Sequence, residues 1–315
     1  MVALLADYEL VVIGGGPAGL TAGIYAARSR LNFLLFEKVV PGGQILTTDW
    51  IENYPGFPEG VSGYELARKI ADQLARFDAP VENEEVLSME CSGPVKRLVL
   101  KDRTISTHTV IIATGASPNL LSVPGEDAYL GKGVSFCATC DGPFYKDKRV
   151  AVMGGGDTAV QEAIFLTKFA ETVYIIHRRE QLRATRILQD RAFANPKIKF
   201  IWNSVVTQIE GNESGVEKLI MKNVKTGAIS DLPVDGFFIF IGTRPNTGFL
   251  CSEIKTNEEG FVIADQNMET SVPGVYAVGD VRNTPLRQVV TAVGDAAIAA
   301  VCAEKYVENL GLAQE

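Results

Sequence analysis

The chain contains one supersecondary pattern twice: a buried apolar strand, a glycine turn, a helix and a second apolar strand. The first copy, YELVVIGGGPAGLTAGIYAARSRLNFLLFEK, has the spacing GxGxxG at Gly14, Gly16 and Gly19. The second copy, RVAVMGGGDTAVQEAIFLTKFAETVYIIHRRE, has GxGxxA at Gly154, Gly156 and Ala159. Such glycines allow a tight turn, close approach to a pyrophosphate and close helix-strand packing. One match is weak evidence, but two matches predict two dinucleotide-binding domains.

The duplication continues beyond the glycine turns. The blocks TVIIATGASPN and GFFIFIGTRPN each join an apolar strand to GxxPN, at Gly115 and Gly242. A later segment, VYAVGDVRNTPLRQVV, reads as a strand, a Gly279-Asp280 turn and the start of a long helix, which suits a return to the first domain. Asp280 is then expected to reach a cofactor, the alternative being a helix N-cap. We predict an α/β fold with two Rossmann-like domains, the second inserted in the first, bounded as 1–116, 117–244 and 245–315.

The two copies differ in charge at the end of the second strand. Counting 23 residues from each first glycine reaches Glu37 in one copy and His177 in the other, and His177 is followed by Arg178 and Arg179. An acid there accepts hydrogen bonds from a ribose hydroxyl, whereas basic groups suit a 2′-phosphate. Arg183 could join the same anion site, although HRREQLR could also be a solvated charged face. The sequence predicts one dinucleotide without a 2′-phosphate and one with it.

The block FCATCDGPFY places Cys137 and Cys140 two residues apart, directly before Asp141. A structural zinc site needs four ligands, and neither the scattered Cys91, Cys251 and Cys302 nor the two histidines supply a second pair at metal-binding spacing. We therefore expect no metal. A fixed disulfide this short constrains the unfolded chain little. Redox exchange is favoured, with Asp141 moving protons, and two ordinary buried cysteines are the alternative.

The other cysteines and His108 are interpreted as structural. We expect Cys91, Cys251 and Cys302 to be small core residues or passive thiols, and His108 to lie at the surface before a strand. Asp141 has its own alternative, an N-cap or an exposed turn residue.

The composition limits the partners and the compartment. The chain has 315 residues and a formal net charge of -8, which gives no basic surface for nucleic acid or an anionic membrane. No run reaches the roughly 18 apolar residues of a membrane span. The beginning MVALLADYELVV has no basic region of a secretory signal, and the cysteines do not form a secreted disulfide pattern. We expect a cytoplasmic protein with neither a nucleic-acid nor a membrane partner.

Six blocks together resemble the low-molecular-weight, bacterial-type thioredoxin reductases over essentially the whole chain: VVIGGGPAGLTAGIYAAR, PGGQILTTDWIENYPGFPEGVSGYEL, FCATCDGPFY, GGGDTAVQEA, HRREQLR and VYAVGDVRNTPLRQVVTAVGDAAIAA. CATCD with HRRxxxR is the most specific combination. The chain departs from the family at Pro143 and Leu286, where Phe and Tyr are common. The resemblance implies a homodimer with noncovalent FAD, reduced by NADPH, that acts on thioredoxin or a thioredoxin-like protein.

The resemblance also implies residue roles. The residues expected to hold FAD are Gly14, Gly16, Pro17, Ala18, Gly19, Glu37, Gly43, Gln44, Asn53, Gly115, Gly279, Asp280, Arg287 and Gln288. Those expected to hold NADPH are Gly154, Gly156, Asp157, Thr158, His177, Arg178, Arg179 and Arg183. Cys140 is expected to be the sulfur nearer the flavin and Cys137 its exchange mate, with the thiol that attacks the partner left open. The alternative on the same scaffold is a small-molecule dithiol oxidase, against which the intact HRRxxxR block argues.

Overall fold

The structure, a computed structural model, describes residues 6–48 and 51–311. These residues form two compact units. The first consists of the chain up to Ser117 together with the chain from Arg244 onward, and the second is the continuous stretch Pro118–Thr243. The α/β class predicted from the sequence is confirmed, since strands and helices alternate in both units.

The elements are numbered along the chain. The helices are α1 (Pro17–Arg28), α2 (Gly63–Ala75), α3 (Ala138–Asp141), α4 (Asp157–Leu166), α5 (Arg186–Ala194) and α6 (Val289–Asn309). The strands are β1 (Tyr8–Ile13), β2 (Phe33–Phe36), β3 (Val81–Glu82), β4 (Ser88–Glu90), β5 (Lys96–Val99), β6 (Thr104–Ile112), β7 (Ala116–Pro118), β8 (Val134–Ser135), β9 (Arg149–Met153), β10 (Thr172–Ile176), β11 (Ile198–Ile201), β12 (Ser204–Asn212), β13 (Gly215–Asn223), β14 (Ile229–Pro233), β15 (Gly236–Ile239), β16 (Thr243–Pro245) and β17 (Val275–Ala277). Short 3-10 turns span Gly43–Thr47, Gly142–Tyr145 and Gly279–Val281.

The first unit is built on a sheet with the order β3-β2-β1-β6-β5-β4, and β17 pairs with β6. The strands β3, β2, β1, β6 and β17 are parallel, and β4 and β5 are antiparallel additions. Side chains of β1 alternate between two cores: Leu10 and Val12 pack with α1, α2 and α6, while Val11 and Ile13 face the other side. This period of two is expected for a strand that is buried on both faces.

The second unit contains a fully parallel sheet with the order β11-β10-β9-β15-β8. In β9, Val150 and Val152 pack with α4 and α5, while Ala151 and Met153 pack with the antiparallel sheet β12-β13-β14. In both units the glycine turn follows a strand that lies between two parallel neighbours: β1 in the first unit and β9 in the second. Parallel strands end at the same edge of a sheet, which is where α/β proteins bind ligands.

His108 is not at the surface. It lies within β6 and is buried, because that strand begins at Thr104, earlier than the sequence pattern indicated. Next to it, Lys96 is buried, and its Nζ donates hydrogen bonds to the carbonyl oxygens of Pro94 at 3.3 Å and His108 at 3.1 Å. The same Nζ lies 5.4 Å from the ring centroid of Tyr306 on α6. Burial lowers the pKa of Lys96 to about 8.

The expectation that Cys91 and Cys251 are separate thiols is wrong. They form a disulfide within the first unit, with Cα atoms 6.1 Å apart and a sequence separation of 160 residues. The chain path brings them together, because the segment after β4 lies against the segment that follows β16. Cys302 on α6 is a free, partly buried cysteine.

Among the described residues, no helix combines the length and the apolar character needed to cross a membrane.

Candidate functional site

Gly14, Gly16 and Gly19 each have a different structural role in the first glycine turn. Gly14 has φ +108°, a conformation that favours glycine, and a Cβ on Gly19 would lie 1.7 Å from the carbonyl oxygen of Gly14. Gly16, the N-cap of α1, is different, since a Cβ there would meet only the Cα of Gly43, at 3.9 Å. The turn thus packs tightly at its ends and leaves open space at its middle. This is the space that a pyrophosphate needs at a helix N-terminus.

Glu37 closes one side of this turn. Ile13 is paired with Phe36, so Gly14 and Glu37 follow directly at the ends of adjacent parallel strands. The carboxylate Oε2 of Glu37 accepts a hydrogen bond of 2.7 Å from the backbone N–H of Gly15, and Oε1 accepts one of 3.0 Å from Val39. The strand register therefore fixes the carboxylate beside the glycine turn, as the count of 23 residues predicted.

A cavity of about 810 Å³ opens from this turn within the first unit. Its size is in the range of sites that hold cofactors. It is lined by the following residues that the sequence assigned to FAD: Gly14, Gly16, Pro17, Ala18, Glu37, Gly43, Gln44, Gly115, Gly279, Asp280 and Gln288. Three assigned residues are not among the lining: Gly19, which packs behind the turn, Asn53 and Arg287.

Asn53 nevertheless belongs to the same site. Its Nδ2 donates a hydrogen bond of 3.0 Å to Oε1 of Gln288, although the two residues are 235 positions apart. Gln288 is the N-cap of α6 and forms a capping box with Thr291. Gln44 lies in the 3-10 turn Gly43–Thr47, and its Nε2 donates a hydrogen bond to the carbonyl oxygen of Ala116. The three amide side chains are thus anchored to different elements of one unit.

Asp280 lies in a 3-10 turn and not at the N-cap of α6, which is Gln288. Burial raises the pKa of Asp280 to about 6, an effect that nearby Arg287 opposes and Asp295 reinforces. Arg287 lies over the ring of Phe261, at 4.2 Å from its centroid. Its Nε is buried without a hydrogen-bond partner among the described residues, as expected beside a site that receives a polar ligand.

The second glycine turn repeats the first. Gly154 has φ +150°, and a Cβ there would lie 2.5 Å from the Cβ of Ala159. At Gly156, the N-cap of α4, no heavy atom lies within 4 Å of the position that a Cβ would take. Asp157 and Thr158, which open α4, are exposed. The second turn therefore also has an open middle and a helix N-terminus behind it.

His177 takes the place that Glu37 has in the first copy. Met153 is paired with Ile176, and a Cβ on Gly155 would lie 2.4 Å from the Nδ1 of His177. Burial lowers the pKa of His177, and the nearby charges of Arg183, Arg179 and Arg178 lower it further. The imidazole is buried behind the turn and neutral near pH 7.

The three arginines are exposed, and the loop that carries them is tied to the glycine turn. The backbone N–H of Arg183 donates to the carbonyl oxygen of Gly155 at 2.7 Å, and the N–H of Thr185 donates to Oδ1 of Asp157 at 2.6 Å. Arg178 directly follows His177, so the loop begins at the strand end beside the turn. This arrangement gathers positive charge beside the open glycine.

Cys137 and Cys140 form a disulfide at the start of α3, with Cα atoms 5.3 Å apart. Cys137 is the N-cap, and its Sγ accepts a hydrogen bond of 3.2 Å from the backbone N–H of Cys140. Ser135, whose Oγ accepts the N–H of Cys137 at 3.0 Å, fixes the approach of the chain. Both cysteines are partly exposed, which leaves the pair accessible to exchange.

Asp141 ends α3 and is half-buried, so it is not an exposed turn residue. It is the N-cap residue of the 3-10 segment Gly142–Tyr145, but its side chain forms no capping hydrogen bond there. Burial raises the pKa of Tyr145 to about 12, and the nearby charge of Asp141 adds to this rise. Pro143 occupies the first turn of a 3-10 segment, a position that suits its fixed φ and its missing N–H.

Sequence reasoning missed the residues that only support the site. The backbone carbonyl oxygen of Asn246 accepts a hydrogen bond of 2.8 Å from Oγ1 of Thr114. Its side-chain Nδ2 donates a hydrogen bond of 2.8 Å to the backbone carbonyl oxygen of Thr114. Asp295 on α6 accepts from the N–H of Gly279 at 3.1 Å and from Arg282 at 3.2 Å, and thereby holds the turn that presents Asp280. The repeated GxxPN block could have pointed to Asn246, but no local pattern points to Asp295.

Comparison with known proteins gives concordant matches. The profile of the family described as pyridine nucleotide-disulphide oxidoreductase matches residues 8–296. A thioredoxin reductase of Peptoclostridium litorale is 44% identical over 309 residues, which cover 96% of this chain and 98% of that protein. The crystal structure of thioredoxin reductase from Streptococcus pyogenes MGAS5005 matches with a TM-score of 0.92 at 48% identity, covering 96% of this chain and 98% of that one. The structure of Lactococcus lactis thioredoxin reductase in its FR conformation matches with a TM-score of 0.65 at 45% identity, covering 96% and 100%.

Proposed function

Since the chain belongs to the pyridine nucleotide-disulphide oxidoreductase family, among its thioredoxin reductases, we propose that it catalyses NADPH-dependent reduction of a thioredoxin-like protein. The reaction is of the EC 1.8.1.9 type. The observation that carries the proposal is the coexistence of two equivalent open glycine turns, one beside a carboxylate and one beside three arginines, with a CxxC disulfide.

The cavity of the first unit is proposed to hold FAD. The open position at Gly16 admits the pyrophosphate against the N-terminus of α1, and the carboxylate of Glu37 accepts hydrogen bonds from a ribose. The amides of Gln44 and Gln288, which line the cavity, offer polar groups to the rest of the ligand. Arg287 directly precedes Gln288 and has a buried Nε with no hydrogen-bond partner among the described residues. When bound, FAD supplies the carrier chemistry that links a two-electron hydride donor to a disulfide.

The second glycine turn is proposed to bind NADPH. Its pyrophosphate fits the open position at Gly156, and the guanidinium groups of Arg178, Arg179 and Arg183 can form charge-assisted hydrogen bonds with the 2′-phosphate. The buried ring of His177 packs against Gly155. Its lowered pKa favours the neutral form, which adds no positive charge to the site.

The Cys137–Cys140 pair is proposed to be the redox relay. After the disulfide receives two electrons and two protons, a thiolate of the pair attacks the partner's disulfide. The other thiol then resolves the mixed disulfide, and the partner leaves as a dithiol. Cys140, beside Asp141, is proposed as the sulfur nearer the flavin, and Asp141 as the residue that carries the proton. The backbone N–H of Cys140, which points at Sγ of Cys137, stabilises a thiolate there.

A homodimer in the cytoplasm is proposed as the working form. The outer face of α6 exposes apolar side chains at Val290, Ile298 and Val301, and Leu286 is exposed just before the helix. A second copy of the chain would cover such a face.

An anaerobic titration with NADPH tests the function. Purified protein should contain one FAD per chain, NADPH should bleach the flavin, and the Cys137–Cys140 pair should appear as two new thiols. A colourless protein that does not take up FAD, or one that contains stoichiometric zinc, would overturn the proposal. A protein that consumed oxygen with a small dithiol but did not react with NADPH would be the alternative dithiol oxidase.

A further inference from the structure

The disulfide between Cys91 and Cys251 lies outside the proposed relay. Both residues belong to the first unit, whereas Cys137 and Cys140 belong to the second. Cys91 is 6% exposed and Cys251 is half-buried, so Cys251 is the more accessible residue of the two. No part of the proposed reaction requires this second bond.

The bond joins two chain segments that form a wall of the cofactor cavity. One segment leads to Cys91 and contributes Val86 and Leu87 to the lining. The other leads to Cys251 and contributes Gly248 and Phe249. Each cysteine is therefore only a few residues along the chain from the cavity surface. The disulfide joins the two segments of the wall covalently.

The two segments lack regular structure where they line the cavity. Residues 83–87 and residues 246–254 form neither helix nor strand. A backbone hydrogen bond of 2.9 Å from Met89 to Phe249 joins them, and the N–H of Leu87 donates to the carbonyl of Val99 at 2.8 Å. Irregular surface segments open more readily than a sheet interior, so a covalent bond here restricts the part of the wall that would separate most easily.

We propose that Cys91 and Cys251 are a reversible modification site, at which small disulfides close the bond and small dithiols open it, and that the closed form retains FAD more firmly than the open form. The second half of this inference rests on the proposed occupancy of the cavity by FAD. The bond involves neither cysteine of the relay, so we expect it to act on cofactor retention and not on the exchange with the partner.

The closing step balances as a thiol-disulfide exchange. The thiolate of Cys251 attacks a small disulfide, forms a mixed disulfide and expels one thiolate. The thiolate of Cys91 then attacks Sγ of Cys251, which forms the Cys91–Cys251 bond and expels the second thiolate. The protons released by the two cysteines go to the two expelled thiolates. The protein loses two electrons, and the small disulfide gains them as two thiols.

The first experiment tests the bond in a Cys137→Ser, Cys140→Ser protein with FAD bound, in which only Cys91, Cys251 and Cys302 remain. After incubation with glutathione disulfide and removal of the reagent, the denatured protein should show one reactive thiol, that of Cys302. Dithiothreitol should raise the count to three. Peptide mapping without reductant should find the peptides of Cys91 and Cys251 linked. Three thiols after glutathione disulfide would overturn the proposal.

The second experiment measures FAD release from the closed and the opened forms of the same protein after dilution, by the fluorescence of free FAD. The opened form should release FAD roughly tenfold faster, since a wall that is less preorganised holds its ligand less well. Adding Cys91→Ser and Cys251→Ser should give the fast release with or without dithiothreitol. Equal release from closed and opened forms would overturn the effect on FAD, even with the bond present.

The control for these measurements is Cys302→Ser, which removes the free cysteine of the same unit. It should keep the slow release of the closed form and its acceleration by dithiothreitol. If the Cys91→Ser, Cys251→Ser protein does not fold, the chemically opened protein still provides the comparison. If no form binds FAD, the cofactor proposal fails together with the retention half of this one, whereas the thiol count still decides whether the bond forms.

Discussion

The carboxylate of Glu37 accepts a hydrogen bond of 2.7 Å from the backbone N–H of Gly15, across adjacent parallel strands. A Cβ on Gly15 would lie 2.8 Å from the Cβ of Glu37, so the contact leaves no room for another residue at position 15. In the second copy the ring of His177 crowds Gly155 in the same way, since a Cβ there would lie 2.4 Å from its Nδ1. One backbone design thus carries an acid in one unit and an imidazole in the other.

Replacing Glu37 with Ala should weaken FAD binding. The change removes the proposed ribose acceptor, and a hydrogen bond to a charged group contributes about 1.5–3 kcal/mol. The Kd of the apoprotein for FAD, measured by flavin fluorescence, should rise by roughly 10- to 100-fold. Glu258→Ala, at an exposed acid of the same unit, is the matched control and should bind FAD normally. An unchanged Kd for Glu37→Ala would remove Glu37 from the site.

Replacing Arg178 and Arg183 together with Gln should raise the KM for NADPH far more than the KM for NADH. The reason is that NADH lacks the 2′-phosphate with which these side chains are proposed to pair. Steady-state kinetics with both coenzymes should show a change in the ratio of at least about tenfold. Arg191→Gln, an exposed position on α5, should leave the ratio as it is. Parallel effects on both coenzymes would contradict the assignment.

Gly156→Ala and Gly155→Ala should fail in different ways. The added methyl group at 156 meets no protein atom within 4 Å, so the protein should keep its Tm but lose NADPH affinity, because the methyl group fills the proposed pyrophosphate space. The methyl group at 155 would lie 2.4 Å from Nδ1 of His177, so that variant should unfold at a lower temperature. Thermal unfolding and the KM for NADPH separate the two effects. Normal NADPH affinity in Gly156→Ala would place the pyrophosphate elsewhere.

Cys137→Ser and Cys140→Ser should each abolish thioredoxin reduction while NADPH still bleaches the flavin. The two cysteines act after the hydride has been accepted, so their loss interrupts only the later half of the reaction. Stopped-flow absorbance and a thioredoxin assay measure the two halves separately. Cys302→Ser should retain both. Thioredoxin reduction at a near wild-type rate in either relay variant would mean that the pair is not the relay.

The stability of the protein should depend on pH through Lys96. Burial lowers its pKa in the folded state to about 8, from 10.5, so the unfolded chain binds more protons between these values and stability rises with pH there. Relative to Lys96→Met, the free energy of unfolding of the wild type should increase by about 2–3 kcal/mol from pH 8 to pH 10.5. Denaturant unfolding at a series of pH values measures this difference.

The sequence was sufficient where function depends on local spacing. Gly14 and Glu37 directly follow two strands that the apolar pattern predicts, and the parallel pairing of Ile13 with Phe36 brings them to the same edge of the sheet. The same reasoning placed Arg178 next to the second turn. These features repeat in the chain, and repetition makes them visible.

It was insufficient where contacts join distant segments. Cys91 and Cys251 are 160 residues apart, and no spacing rule links them. Asn53 meets Gln288 only because the loop before α2 and the start of α6 converge on one cavity. His108 was misplaced for another reason: the strand begins with alternating polar residues, so its start was not evident from hydrophobicity.

The Cys91–Cys251 bond also determines whether cleavage of the chain by a protease separates it into two fragments. Position 91 precedes the inserted stretch Pro118–Thr243 and position 251 follows it, so the bond turns the whole insertion into part of a covalent ring. A single cut anywhere in that insertion would open the ring without separating the two ends of the chain. The nicked protein would run as one piece without reductant and as two pieces with it, and the two stretches that build the cofactor cavity would remain covalently joined after the insertion had been severed.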